Sequence, residues 1–149
     1  TILTTNSSAL LVSDIEDAVQ RGDRFAALHS HLGAPLVDIV GGPRTSPAII
    51  ELLERYVVSL GGIPLVLKKE HRGYVFNAMI GPVLTTAMLL VMRGAASMEM
   101  VERAWMQRRS APLGPFGMMD LFGLNVIYDS WQQRTGDTDV LALKESILA

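Results

Sequence analysis

Cysteine is absent from the 149 residues. That excludes disulfides, thiolate nucleophiles and zinc sites built on thiolates, and it says little about compartment. Charge is also sparse. Asp, Glu, Lys and Arg make up 19% of the chain, 49% is apolar, and mean hydropathy is +0.29; an ordinary globular chain carries about 25% charged residues. Such a chain either buries a large face against a partner or is part of a larger fold. The net charge is −2, so the overall balance offers no electrostatic case for nucleic acid. Internal repeats and low-complexity tracts are lacking. No secretory signal is visible, and a cytoplasmic location is expected. The chain begins at Thr1 in a strand-like run and ends at Ala149 inside a helical pattern, which reads as a piece of a longer protein.

What is present divides into two textures. Up to Lys69, strand and helix signals alternate. Ile2 to Thr5, Arg24 to His31, Leu36 to Val40 and Ile63 to Leu67 are strand candidates, and Ser13 to Gln20 is a short helix with Ser13 as N-cap. The clearest helix has Ser46 as N-cap and Pro47 at its first position. Ile49, Leu52, Leu53, Tyr56, Val57 and Leu60 then follow helical spacing up to Gly61. Alternating elements imply a mostly parallel sheet, with Pro64 tolerable on an edge. Past residue 70 only helices are expected. They include one capped by Ser97 with Glu99 in its first turn, one opened by Gly114-Pro115 and broken at Gly123, one over Asn125–Gln133, and one from about Asp139 after a Gly136-Asp137 turn. The expected class is α/β followed by all-α, with a boundary near residues 69–73.

Tyr74 to Met92 contains no charge and approaches the roughly 20 apolar residues needed to span a bilayer. Asn77, Thr85, Thr86 and the Gly81-Pro82 pair argue against a membrane, as does the lack of aromatic belts. A helix buried on most sides, in a bundle or a dimer interface, is the preferred reading. Pro82 is expected to kink it.

The chemistry concentrates on histidine. His29 and His31 lie two apart on a strand and so face the same side. Asp38 is a lone acid inside the next, otherwise apolar strand, where burial is costly unless it is paired. A carboxylate-oriented histidine makes a general acid/base. The competing readings are a histidine satisfied by hydrogen bonds at a strand end, and a metal set of His29, His31 and Asp38. The spacing lacks a third nitrogen ligand, so no metal is assigned.

Five short motifs in order resemble the L-3-hydroxyacyl-CoA dehydrogenases and relatives acting on smaller 3-hydroxy acids. They are Asn6-Ser7-Ser8, the run from Asp23 to His29, Leu36-Val37-Asp38-Ile39-Val40, Gly73-Tyr74-Val75-Phe76-Asn77, and Leu113-Gly114-Pro115-Phe116 with Asp120 and Gly123. Thr45-Ser46 opens the helix that follows in the family. The resemblance implies a partial Rossmann-like sheet over residues 1–70, the second half of an NAD-binding domain. Residues 71–149 would be a helical domain that forms a homodimer and serves the substrate. It implies NAD as cofactor and an acyl-CoA or small hydroxy-acid substrate. His29 would be the catalytic base and Asp38 its orienting partner. Ser8 and Asn77 would bind substrate, and Asn6 and Ser8 would lie toward the nicotinamide.

Departures accompany the likeness. Asp38 stands where the family has Glu, so pairing needs a closer backbone or a bridging water. The His29–Asp38 stretch is about three residues shorter than the family's. Ala78 stands where Arg is common, and Arg72 where Pro is common. No G-x-G-x-x-G occurs in the sequence, so the pyrophosphate turn is expected upstream. The chain alone is expected to bind NAD poorly or not at all. A non-catalytic dimerisation module of the same fold is the alternative class.

Overall fold

The computed structural model describes residues 1–132. The expected Gly136-Asp137 turn and the helix from Asp139 lie outside them. Two compact units divide within the third α-helix, between Ala78 and Met79.

The first unit holds four strands, β1 (Leu3–Thr5), β2 (Phe25–Ser30), β3 (Leu36–Gly41) and β4 (Ile63–Val66), in the order β1-β2-β3-β4. The β1–β2 and β3–β4 pairs are parallel, as alternation with helices requires. The central β2–β3 pair is antiparallel. Five residues, His31–Pro35, join those strands, too few for a parallel crossover. His31 N donates to Leu36 O to close the turn. Pro64 does lie on the edge strand.

Side-chain alternation sorts the sheet into two faces. Ala26 and Ile39, both fully buried, pack with Leu53 and Val57 of α2 (Pro47–Ser59) and with Leu28, Val37, Ile49 and Ile50. The buried stripe of α2 is narrower than its spacing predicts, because Leu52, Tyr56 and Leu60 are exposed. Ser46 occupies the N-cap without a side-chain cap bond. Thr45 does the fastening instead, its hydroxyl donating to Phe25 O and accepting from Gly42 N. On the opposite face Phe25, Ala27 and Val40 pack with Val12 and Tyr74. His29 and Asp38 continue that second face by parity.

The predicted helix at Ser13 is shorter than expected. It comprises α1 (Val12–Ile15) with Leu11 as N-cap, followed by a 3-10 turn over Glu16–Ala18. Ser13 does not cap; its own N–H donates to Glu70 Oε1 at 2.8 Å.

The second unit is helical. It contains α3 (Phe76–Met92) from Met79 onward, α4 (Met98–Arg109), α5 (Pro115–Phe122) and α6 (Leu124–Gln132). Ile80, Leu84 and Ala87 pack with Phe116, Met119, Ile127 and Trp131. Pro82 sits inside α3, and the Thr85 hydroxyl donates to Gly81 O. Among the described residues no helix is long and apolar enough to cross a membrane. Ser97 caps α4 as predicted, accepting from Met100 N. The α5 N-terminus is capped from α4, where Glu102 Oε1 accepts from Gly117 N at 2.7 Å. A Cβ at Gly114 would collide with that carboxylate, which accounts for glycine ahead of Pro115.

Candidate active site

The antiparallel register places His29 directly opposite Asp38. Cross-strand partners lie about 4.5–5.5 Å apart at Cβ, close enough for the shorter Asp side chain to reach. His29 Nδ1 and Asp38 Oδ2 are 3.0 Å apart, with no bridging water needed. Both residues are buried, His29 at 5% exposure and Asp38 at 0%.

A carboxylate can only accept hydrogen bonds, so His29 must present Nδ1–H to it. The lone pair of the neutral ring then lies on Nε2. Ser8 Oγ sits 3.0 Å from that nitrogen, and the hydroxyl donates to it. Ser8, His29 and Asp38 thus form a chain in which the basic nitrogen of His29 faces a hydroxyl. Ser8 follows β1 and His29 lies near the end of β2. These strands are parallel, so both residues emerge at the carboxyl ends, where open α/β sheets bind ligands.

His31, one residue past β2, also reaches Asp38. Its Nε2 lies 2.7 Å from the same Oδ2. Its ring meets His29 edge-on at 4.8 Å and Phe76 at 5.7 Å. Asp38 Oδ1 is buried without a hydrogen-bond partner among the described residues. Asn6 serves the scaffold: its Oδ1 accepts from Ser30 N at 3.0 Å and from Ser30 Oγ at 3.3 Å, fixing the end of β2. The Asn77 side chain, half-buried in the first turn of α3, makes no hydrogen bond to a described residue.

Sequence reasoning missed the segment that supports Ser8. Tyr74 OH donates to Ser7 O at 2.7 Å, and its ring lies 5.1 Å from that of His29. Arg72 donates to Ala9 O and pairs with Asp14, which gives the departure from Pro at that position a structural task. With Glu70 on Ser13 N, three residues of the 70–74 turn hold residues 7–14. Gly73 and Tyr74 both have positive φ, 77° and 49°, a conformation uncommon outside glycine. The Gly-Tyr pair was the available signal.

Burial, then the charges of Asp38 and Glu70, push the Tyr74 phenol up to about 12. The folded state therefore holds a proton that the unfolded chain begins to lose near pH 10. The resulting stability is fully present below that pH and declines as pH rises toward 12. Tyr74→Phe is expected to cost about 0.5–1.5 kcal/mol at neutral pH through the lost bond to Ser7. In urea unfolding, the gap between the two proteins should close above pH 10. A gap constant with pH would contradict the assignment.

Known proteins match this arrangement along almost the whole chain. The profile described as 3-hydroxyacyl-CoA dehydrogenase, NAD binding domain, matches residues 1–71. That described as 3-hydroxyacyl-CoA dehydrogenase, C-terminal domain, matches residues 73–147. Mitochondrial hydroxyacyl-coenzyme A dehydrogenase of Sus scrofa is 35% identical over 139 residues, covering 89% of this chain and 44% of the pig protein. The crystal structure of M. tuberculosis FadB2 superposes with a TM-score of 0.83 at 26% identity, covering 98% of this chain and 55% of its own. A diketoreductase, described as catalysing reactions of dicarbonyl compounds, superposes with a TM-score of 0.79 at 34% identity, covering 97% and 53%. The chain spans about half the length of these relatives. With two family profiles meeting at the turn that carries Tyr74, and a paired histidine at the carboxyl end of β2, the chain belongs to the 3-hydroxyacyl-CoA dehydrogenase family.

Proposed function

We propose that the chain is the downstream part of an NAD-dependent 3-hydroxyacyl-CoA dehydrogenase in which His29 is the general base. Residues 1–70 complete the nucleotide-binding domain, and residues 71–149 form the helical domain through which a cytoplasmic homodimer assembles. The observation that carries the reading is the Ser8–His29–Asp38 chain, with 3.0 Å at each link and its basic nitrogen at the carboxyl ends of β1 and β2. When bound, NAD supplies the hydride acceptor. Asn6 and Ser8 follow β1 at that same end and fit its nicotinamide side, whereas no residue run here fits its pyrophosphate.

His29 Nε2 takes the proton of the substrate's 3-hydroxyl as C3 gives up its hydride, and returns the proton in the reverse direction. Asp38 keeps Nδ1–H in place and stabilises the imidazolium that forms. The Ser8 hydroxyl passes from Nε2 to the reacting oxygen and fixes its position. Asn77, whose amide has no partner among the described residues, is a second group for that oxygen.

Likeness to the diketoreductase favours one second reading, a dehydrogenase for a small 3-hydroxy acid. Assay of the full-length protein separates the two. NAD reduction with higher kcat/KM on 3-hydroxyacyl-CoA supports the first, and the reverse order supports the second. No NAD-linked turnover on either class would overturn both. In calorimetry the 149-residue chain by itself is expected to show no micromolar NAD binding.

A further inference from the structure

We propose that His29, His31 and Asp38 form an inhibitory site for a divalent transition ion of the zinc type. One ligand atom from each residue falls within a group no more than 4.8 Å across. All three side chains are buried, with exposures of 6%, 8% and 0%. His29 Nδ1 and His31 Nε2 converge on Asp38 Oδ2 at 3.0 and 2.7 Å. Ligand atoms around zinc, with bonds of about 2.0–2.2 Å, stand about 3.3 Å apart. Ring shifts on the order of an ångström, opening the nitrogen–oxygen distances and closing the wider gap between the two nitrogens, therefore suffice to admit the ion.

A second observation points the same way. Among the described residues, Asp38 Oδ1 is a buried acceptor with no hydrogen-bond partner, an arrangement that is rare and calls for an explanation. A cation between the rings would satisfy it by taking the carboxylate through both oxygens. Two imidazole nitrogens select zinc, copper or nickel over magnesium and calcium. Ser8 Oγ, 3.0 Å from the outer nitrogen of His29, supplies an acceptor for the second ring N–H, a role commonly filled by a carboxylate, a carbonyl or water in metal-bound histidines.

The site is inhibitory because it inverts the His29 tautomer. Without the ion, Nδ1–H donates to Asp38 and the Nε2 lone pair is the base. With the ion on Nδ1, the ring proton moves to Nε2 and donates to Ser8, and no lone pair faces the substrate. This consequence rests on His29 as the catalytic base, whereas ion binding does not.

Zinc titrated into the 149-residue chain by calorimetry tests the site directly. One equivalent should bind, magnesium should not, and His31→Gln should weaken zinc by about tenfold or more. Circular dichroism on the variant checks its fold. No zinc binding in the micromolar range by the wild-type chain, or unchanged affinity in a folded His31→Gln protein, overturns the site. In the full-length enzyme, zinc should suppress turnover of the wild type at concentrations that spare His31→Gln, each measured against its own zinc-free rate. Bound zinc with undiminished turnover would overturn the inhibitory role and count against His29 as base, leaving the ligand set standing.

Discussion

His29→Asn in the full-length enzyme is expected to lower kcat by about 10²–10⁴-fold, the range that a positioned general base contributes. Affinity for NAD should be little changed, because the pyrophosphate site lies outside these residues. Asn is the sharper replacement. Its amide can still donate to Asp38, so the buried carboxylate keeps two partners and the sheet keeps its register. What Asn cannot do is accept a proton from the 3-hydroxyl. His29→Ala removes both capacities and should add a stability loss of about 1–3 kcal/mol from the lost hydrogen bond to the buried carboxylate, which keeps His31. The comparison therefore separates proton transfer from folding. If His29→Asn keeps kcat within about threefold of wild type, proton transfer of the kind described does not pass through this residue.

Much of this geometry is legible in the sequence, and the gaps have physical causes. The strands at Arg24–His31 and Leu36–Val40 are readable because both are apolar runs bounded by turn residues. Their pairing direction was also in the numbers, since five residues cannot carry a parallel crossover, yet the alternation of strands with helices pulled the expectation toward parallel. That one pairing explains how Asp38 reaches His29 directly, despite lacking the methylene that the family's Glu provides. The α2 stripe was overread for a different reason. Helical spacing marks every apolar residue on a broad arc, whereas one sheet face covers only Ile49, Ile50, Leu53 and Val57. Tyr74 and Arg72 were missed as supports because their partners lie more than sixty positions away in sequence, at Ser7 and Ala9. No local pattern announces such contacts.

His31 shows a subtler limit. Its spacing from His29 predicts a shared face, and the structure agrees. Spacing does not tell whether the second histidine meets solvent, a metal or the same carboxylate. The short His31–Pro35 connection decides it, because it turns at once and holds His31 over Asp38 Oδ2.

Asp38→Asn is expected to be nearly as damaging to turnover as loss of His29, and for a reason that can be worked out from two amide orientations. Suppose the new carbonyl oxygen takes the place of Oδ2. Both histidines keep their N–H donors, but the amide nitrogen then occupies the buried Oδ1 position, where the carboxylate oxygen has no partner among the described residues. Two N–H groups would be stranded, at about 1–3 kcal/mol for the unsatisfied group. In the reverse orientation the amide nitrogen faces His29 Nδ1 and His31 Nε2 and donates to both. That orientation satisfies the amide N–H donors and leaves only an oxygen at the Oδ1 position, as in the wild-type carboxylate, and therefore wins. It also forces His29 to carry its proton on Nε2, which donates to Ser8 Oγ and leaves no base. The fold should survive with little change in thermal midpoint, while kcat falls by about 10²–10⁴-fold, the scale on which a carboxylate-to-amide change disables a histidine base by fixing the wrong tautomer. Nitrogen-15 spectra of the imidazole rings would report the proton on Nδ1 of His29 in the wild type and on Nε2 in Asp38→Asn. A variant with that inverted tautomer and an undiminished kcat would break the link from Asp38 to His29 to the reacting hydroxyl.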